Sequence, residues 1–243
     1  MSVVIPIRRQ DPHHPQAQVC RDCDVRSMAL FGSLDDAALD RIHAHIASFE
    51  LAADSAVYQL GERGSAVYTL RSGMVRFERV TQRGDRRIVR LAGRGDLIGQ
   101  EALLQRPYAD AAIACTPLQL CRIPRTLIDD LGDSQASLLR ELMLRWQDAL
   151  DDAEGWVAEL ATGPARRRVL RMLVRLGDEA DADGMIWLPR REEIGAMLDM
   201  TFETASRMLS QLRRAGVIEV TRQRTARLDA EALRLAVLAE DAG

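Results

Sequence analysis

Between Arg190 and Arg227 the sequence leaves few choices of backbone. Glu192–Leu198 carries Ile194, Met197 and Leu198 on one apolar face, the spacing of a short amphipathic helix. Asp199-Met200 can turn the chain, and Thr201 is placed to cap a second helix because its hydroxyl can accept an orphan backbone N–H. In that second helix Phe202, Ala205, Leu209 and Leu212 are expected on an inward face. Glu203, Ser206 and Arg207, spaced i, i+3, i+4, share another. Ala215-Gly216 is a helix stop. Val217–Val220 favours a strand, Thr221–Arg224 a turn, and Thr225–Leu228 a returning strand. Two helices followed by a hairpin outline a winged helix-turn-helix, a fold whose second helix enters the DNA major groove.

The outward residues have the chemistry for that use. Arginine donates two hydrogen bonds to guanine, glutamate accepts from cytosine N4, and serine does either. From Met200 to Arg227, Arg207, Arg213, Arg214, Arg222, Arg224 and Arg227 stand against Glu203 and Glu219, a local positive excess in a chain of net charge −3. Such an excess suits a phosphate surface. The alternative is a helical hairpin with a solvated arginine face, and the chain uses arginine for all 33 of its basic residues.

The run Thr201-Phe202-Glu203-Thr204-Ala205-Ser206-Arg207, followed by Leu209, Leu212, Gly216 and Ile218, resembles the recognition helix of the Crp/Fnr family of bacterial transcription regulators. The Glu-x-x-Ser-Arg arrangement is that of its Fnr-like branch. The resemblance implies that Glu203, Ser206 and Arg207 read base edges of a TTGAT-type palindromic half-site. Thr201, Thr204, Arg213 and Arg222 are further candidates for contact with double-stranded DNA.

At 243 residues the chain can hold one large domain or two modest ones, and 47% hydrophobic content supports real cores. No apolar run approaches membrane-spanning length, and Met1–Gln10 lacks the apolar core and cleavage site of a signal peptide. Four cysteines without a secretion signal argue against a disulfide scaffold. The expectation is a soluble cytoplasmic protein.

Residues 1–19, with Pro6, Pro12, His13, His14 and Pro15, read as a loose arm. Leu34–Phe49 has helical spacing (Leu34, Ala38, Ile42, Ile46, Phe49) with Ser33 as its cap. Short β-prone runs follow: Ala56–Leu60, Val67–Leu70, Met74–Val80, Arg87–Leu91, Ala111–Cys115 and Leu118–Ile123, cut by glycine-rich turns. Even spacing of short strands predicts an antiparallel barrel or jelly roll. By resemblance this is the family's cyclic-nucleotide-binding-like sensor domain, with Gly95-Asp96-Leu97-Ile98-Gly99 at its characteristic turn. Nucleotide binders in the family place Glu after that second glycine and an Arg-Ser or Arg-Thr pair beyond it. Here Gln100 follows the second glycine and Tyr108-Ala109 stands near the Arg-Ser position, so the phosphate loses its charge-assisted partner and no cyclic nucleotide is expected; a shifted alignment onto Glu101 and Arg106 is the alternative.

Ser134–Leu160 is a long predicted helix. Leu139, Leu142, Trp146, Ala149, Ala153, Trp156 and Leu160 recur at 3-4 spacing, the seam of a parallel two-helix dimer. Packing against its own domain is the alternative. Gly155 lowers helix propensity by roughly 0.8–1 kcal/mol. Asp152 and Glu159 flank the seam, no base lies between Trp146 and Ala165, and the facing flank positions Leu150 and Val157 offer no opposite charge. Gly163-Pro164 breaks the chain, and Arg166–Leu176 opens the next domain as an amphipathic helix. Ile186–Leu188 reads as a short strand, and Ala230–Leu238 as a structural helix capped by Asp229.

Fnr-like oxygen sensors hold a 4Fe–4S cluster on a cysteine-rich N-terminal segment and one barrel cysteine, all as thiolates. By that resemblance Cys20, Cys23 and Cys121 are the metal-ligand candidates. The remaining N-terminal cysteine is missing from the two positions family spacing allows, Ala29 and Phe31. His13, His14, Asp22 or Asp24 is then left as a fourth ligand, and Cys115 is surplus. Cys115 and Cys121 also read as small buried apolar residues, and Cys20–Cys23 as a reactive pair.

The expected whole is an α+β protein: arm 1–19, antiparallel sensor barrel 20–125, dimerisation helix 126–162 and winged helix-turn-helix domain 163–243. The resemblance implies a homodimeric transcription regulator that contacts RNA polymerase and answers to oxygen or redox state. A different small ligand or thiol oxidation is the alternative signal. A thiol- or metal-dependent enzyme is the remote alternative, since no nucleophile–base pair, phosphate loop or HExxH appears.

Overall fold

The computed structural model describes residues 23, 25, 30, 31, 42–132, 136–222 and 224–242. Contacts divide the chain into two units, Met1–Val75 with Ala92–Gln147, and Arg76–Leu91 with Asp148–Gly243. The strands are β1 (Ala47–Leu51), β2 (Ala56–Tyr58), β3 (Ala66–Ser72), β4 (Val75–Val80), β5 (Arg86–Ala92), β6 (Leu97–Ile98), β7 (Ala111–Ala114) and β8 (Leu118–Pro124). They form two four-stranded sheets, ordered β1-β8-β3-β6 and β2-β7-β4-β5, which is the expected jelly-roll-like arrangement. All six predicted strands are present. The structure adds β1 and β6, for which the sequence carries too short or too weak an alternation.

The predicted helix Leu34–Phe49 is corrected at its C-terminal end. His43–His45 is a single 3-10 turn and Ala47–Leu51 is strand β1, paired with β8 from Ala47↔Arg122 to Leu51↔Leu118. An edge partner for β8 outweighs the local helical spacing. The stretch 32–41 lies outside the described residues, as do the arm and Cys20.

After β8 come α1 (Arg125–Gly132) and α2 (Ala136–Leu160). Leu127, Ile128 and Leu131 of α1 and Leu138 and Leu142 of α2 are buried in one apolar cluster with Leu30, Phe31, Ile42, Val67 and Ile123. Burying each large aliphatic side chain there contributes roughly 1.5–3 kcal/mol.

The second unit contains the β4–β5 hairpin residues, the rest of α2, and α3 (Ala165–Gly177), β9 (Met185–Trp187), α4 (Arg191–Leu198), α5 (Phe202–Arg214), β10 (Ile218–Arg222), β11 (Thr225–Leu228) and α6 (Ala230–Asp241). Its sheet is ordered β10-β11-β9. Val169, Leu170, Met172, Leu173 and Leu176 of α3 are buried, as are Ile194, Met197 and Leu198 of α4. Asp229 caps α6 by accepting from the Ala232 N–H at 2.9 Å, as expected. Arg166 and Arg171 of α3 pair with Glu240 and Asp241 at its far end. Among the described residues no helix is long and apolar enough to cross a membrane.

Candidate nucleic-acid interface

Helices α4 and α5 and the hairpin β10–β11 build the candidate interface. Asp199 adopts a left-handed φ of 53° at the end of α4, and the chain doubles back tightly. A Cβ on Gly195 would lie 2.6 Å from the Met200 carbonyl oxygen, so only glycine admits this turn. The signal for that requirement in the sequence is a glycine inside so short a helix, which marks a close approach. Arg168 of α3 donates to the Leu198 carbonyl and holds the end of α4. Thr201 caps α5 as expected, its Oγ1 accepting the Thr204 N–H at 3.3 Å.

Ala205, Met208, Leu209 and Leu212 are the buried face of α5. Glu203 and Arg207 are exposed, and Ser206 and Thr204 are half-buried beside them. The helix therefore presents Glu203, Ser206 and Arg207 on its open side. The Glu203 carboxyl is held below the usual carboxylate range, first by its own backbone N–H and then by the Thr201 hydroxyl. It is an acceptor in its ionised form.

Phe202 departs from expectation. It is 49% exposed instead of inward. Helix side chains lean toward the N-terminus, so the first residue of α5 covers surface ahead of the packed stripe.

Strand β10 extends through Arg222, beyond the predicted strand end at Val220. Arg222 is exposed opposite Thr225, and Arg213 and Arg214 are exposed at the end of α5. Arg224 is different. It turns the wing with φ 69°, lies 5.4 Å from the centre of the Trp187 ring, and ion-pairs with Glu193 at 2.9 Å. Glu193 is itself buried and accepts the Arg190 N–H at 2.7 Å, closing the N-terminus of α4. Arg224 thus belongs to the frame of the domain, and the positive charge facing outward is smaller than its sequence count.

The predicted seam of α2 divides in two. Leu142, Trp156 and Leu160 are buried within their own chain, whereas Leu139 and Trp146 are exposed and Ala149 and Ala153 half-buried. Asp152 and Glu159, read in the sequence as unanswered, both pair with Arg175 of α3.

In the barrel, all three tyrosines of the chain gather. Tyr108 stacks on Tyr58 with ring centres 3.9 Å apart, and Tyr58 lies 5.8 Å from Tyr68. The Tyr108 hydroxyl donates to the Ala66 carbonyl at 2.8 Å; burial, and next the neighbouring Tyr68, push its ionisation well above the ordinary phenol value. Glu101, near the expected nucleotide-binding turn, accepts the Ala109 N–H at 3.4 Å.

Cys121 lies on β8 between Ser48 of β1 and Thr69 of β3. Its Sγ is 3.5 Å from Ser48 Oγ. Burial pushes its thiol up, and Ser48 and Arg71 lower it in part. Cys23 is half-buried, and Cys115 is buried with its N–H donating to the Met74 carbonyl at 2.7 Å. Among the described residues no three His, Cys, Asp or Glu side chains come together as a metal site. Phe31, one of the two positions that family spacing allows for a further cysteine, is buried in the apolar cluster against which Cys121 packs.

Residues 48–135 match the family model of the cyclic nucleotide-binding domain, and residues 167–236 that of the Crp-like helix-turn-helix domain. The chain is 24% identical over 209 residues to the fumarate and nitrate reduction regulatory protein of Vibrio cholerae, covering 83% of each. It is 25% identical over 207 residues to the anaerobic regulatory protein of Haemophilus influenzae, covering 83% of this chain and 80% of that one. Among solved structures it is similar to FixK2 of Bradyrhizobium japonicum, with a TM-score of 0.69 and 26% identity over 79% of this chain and 96% of that one. With both domain models matched along the chain, it belongs to the Crp/Fnr family of DNA-binding transcription regulators.

Proposed function

We propose that this regulator works in the cytoplasm as a homodimer on TTGAT-type palindromes, using residues 1–19 as an arm, 20–125 as sensor, 126–162 for dimerisation and 163–243 for DNA. The observation that carries the reading is the division of α5. Ala205, Met208, Leu209 and Leu212 anchor one side while Glu203, Ser206 and Arg207 stand on the other. Thr201 and Thr204 at its start, Arg213 at its end and Arg222 in the wing supply backbone contacts. Surface loops are left to meet RNA polymerase.

A second observation supports the dimer. Leu139, Met143, Trp146, Leu150 and Val157 of α2 are exposed, and with half-buried Ala153 they recur at 4-3-4-3-4 spacing. That is a coiled-coil seam, offset by one residue at alternate positions from the seam read in the sequence. Paired half-sites require such a two-fold partner.

The signal is redox state read through cysteine. Anaerobic regulation is named in relatives of this chain, and Tyr108-Ala109 stands near the place where the family's nucleotide binders carry Arg-Ser. A four-thiolate 4Fe–4S site is incomplete: Phe31 is core, and Cys20, Cys23 and Cys121 leave the fourth ligand unfilled. With the cluster's ligand set short by one, direct thiol chemistry at Cys20, Cys23 and Cys121 is the second reading of the signal.

The test is a gel shift of the full chain on a TTGAT-N4-ATCAA duplex and a scrambled one, prepared with and without air, with iron and sulfide assayed. Preferential binding of the palindrome that changes with air is expected. Equal affinity for both duplexes overturns the DNA reading, and an air-independent preference overturns the signal alone.

A further inference from the structure

Gly155 sits near the middle of the C-terminal half of α2, where a helix former is expected. The structure shows what occupies the space. A Cβ at this position would lie 2.7 Å from Arg175 Nη2. Arg175 leaves α3 and crosses α2 at the notch. Its Nη1 donates to Asp152 Oδ1 at 2.5 Å, its Nε to Glu159 Oε2 at 3.4 Å, and its guanidinium carbon lies 5.8 Å from the centre of the buried Trp156 ring. Residues 152, 155, 156 and 159 are spaced i, i+3, i+4, i+7, one face of the helix. One planar guanidinium engages all of it, a geometry that lysine's point charge does not reproduce.

The two ends of this contact matter differently. Arg175 belongs to a helix whose Arg168 holds the end of α4 at Leu198, just before the recognition helix. Asp152, Trp156 and Glu159 belong to the helix whose adjoining face carries exposed Leu150 and Val157. Between them the chain is only Ala161–Pro164, with Gly163 at φ 86°. Such a linker turns freely unless something else pins the helices.

Resting on the dimeric reading above, we propose that Arg175 is a positioning residue for two-site DNA recognition. It locks α3 to the C-terminal half of α2 and so fixes the separation of the paired recognition helices. It touches no base. Loss of the pin leaves each recognition helix intact but lets the pair accept half-sites at other spacings, because separation and rotation are linked along the duplex.

The experiment measures affinity of the full chain for a single half-site and for palindromes whose spacer is lengthened or shortened by one to three base pairs. The proteins are the wild type, Arg175→Gln, Arg175→Lys and Gly155→Ala. Expected are half-site affinities within twofold of wild type, and at least a tenfold fall in spacer discrimination for Arg175→Gln, little of it regained by Arg175→Lys. Gly155→Ala keeps the charge and gains helix propensity, yet its methyl displaces the guanidinium, so it is expected to lose discrimination too. A merely structural role for Arg175 predicts no loss for Gly155→Ala. Unchanged discrimination in Gly155→Ala, or equal weakening of half-site and palindrome in Arg175→Gln, overturns the proposal. A wild type that prefers no palindrome over a half-site overturns the dimeric reading, and this inference with it.

Discussion

One nitrogen of Arg224, Nη2, lies 2.9 and 3.0 Å from the two carboxylate oxygens of Glu193, so the turn of the wing is ion-paired to the first helix of the helix-turn-helix. Glu193 is 2% exposed and also caps α4 through the Arg190 N–H. Arg76 Nη1 approaches the same carboxylate at 3.7 Å. Glu193→Gln keeps the cap acceptor but removes the carboxylate charge that faces Arg224, while Arg76 keeps Glu78 at 2.7 Å. The expected cost is about 3 kcal/mol, the lower end for a broken buried pair because Arg224 retains some solvent. Urea denaturation measures it, and a loss under 1 kcal/mol contradicts the assignment.

Removing Arg207 or Glu203 by alanine substitution is expected to weaken palindrome binding by ~1–3 kcal/mol per half-site and to relax preference at the base each one reads. Arg222→Ala should weaken all sequences alike and lower the salt slope by about 1. Fluorescence anisotropy across a salt series separates the two behaviours. Arg207→Ala with unchanged sequence preference shifts recognition to another element.

The pH dependence of specific binding follows from Glu203. Its folded-state pKa is depressed by its own N–H and the Thr201 hydroxyl. Its charge-dependent contribution is therefore present above the ordinary carboxylate range and is lost only as pH falls through the depressed value. Thr201→Ala removes the hydroxyl and should cost about 1 kcal/mol of helix capping. Loss of specific binding should then begin at a higher pH than in the wild type. Identical acid limbs in a binding titration contradict this.

Cys121 has the opposite sign. Burial raises its thiol pKa, so the associated stability is present below the unfolded thiol value and falls as pH rises from there through the folded value. The thiolate is the reactive form. Iodoacetamide should label Cys121 slowly in the folded protein at neutral pH and faster as the solution becomes alkaline, which peptide mass spectrometry follows. Cys121→Ala should flatten the alkaline limb of the stability curve.

The two candidate seams of α2 are separable by substitution. Leu150→Glu and Val157→Glu place charge on side chains that are 51% and 62% exposed in the single chain. They should dissociate the dimer with the melting temperature of the monomer nearly unchanged. Leu142→Ala empties a buried position and should cost roughly 2–5 kcal/mol of folding stability. Sedimentation velocity with thermal melts distinguishes the outcomes, and a dimer surviving Leu150→Glu removes this face from the interface.

What was legible in the sequence was local. The Thr201 and Asp229 caps, the stop at Ala215-Gly216 and the apolar face of α5 depend on neighbours within a turn or two, and the structure has them where their spacing puts them. The β-prone runs between Ala56 and Ile123 were legible for the same reason. The resemblance of Glu203–Arg207 to a known recognition helix was legible because its identity lies in side chains one turn apart.

The tertiary structure decided whatever depends on which surface is already covered. A helix of 3.6 residues per turn drifts against any 3-4 repeat, so Leu142 and Met143 fit a seam equally well until the apolar cluster of Leu127, Ile128 and Phe31 claims Leu142. Gly155 reads as a weakness in an isolated helix and becomes the notch for Arg175, twenty residues away in sequence and beyond the end of the helix. Asp152 and Glu159 read as unanswered charge until that same arginine arrives. Arg224 counts as a DNA-facing cation until Glu193 withdraws it into the frame. In each case the sequence determined what a side chain could offer. Burial and ion pairing between segments distant in the chain decided which offer was taken up.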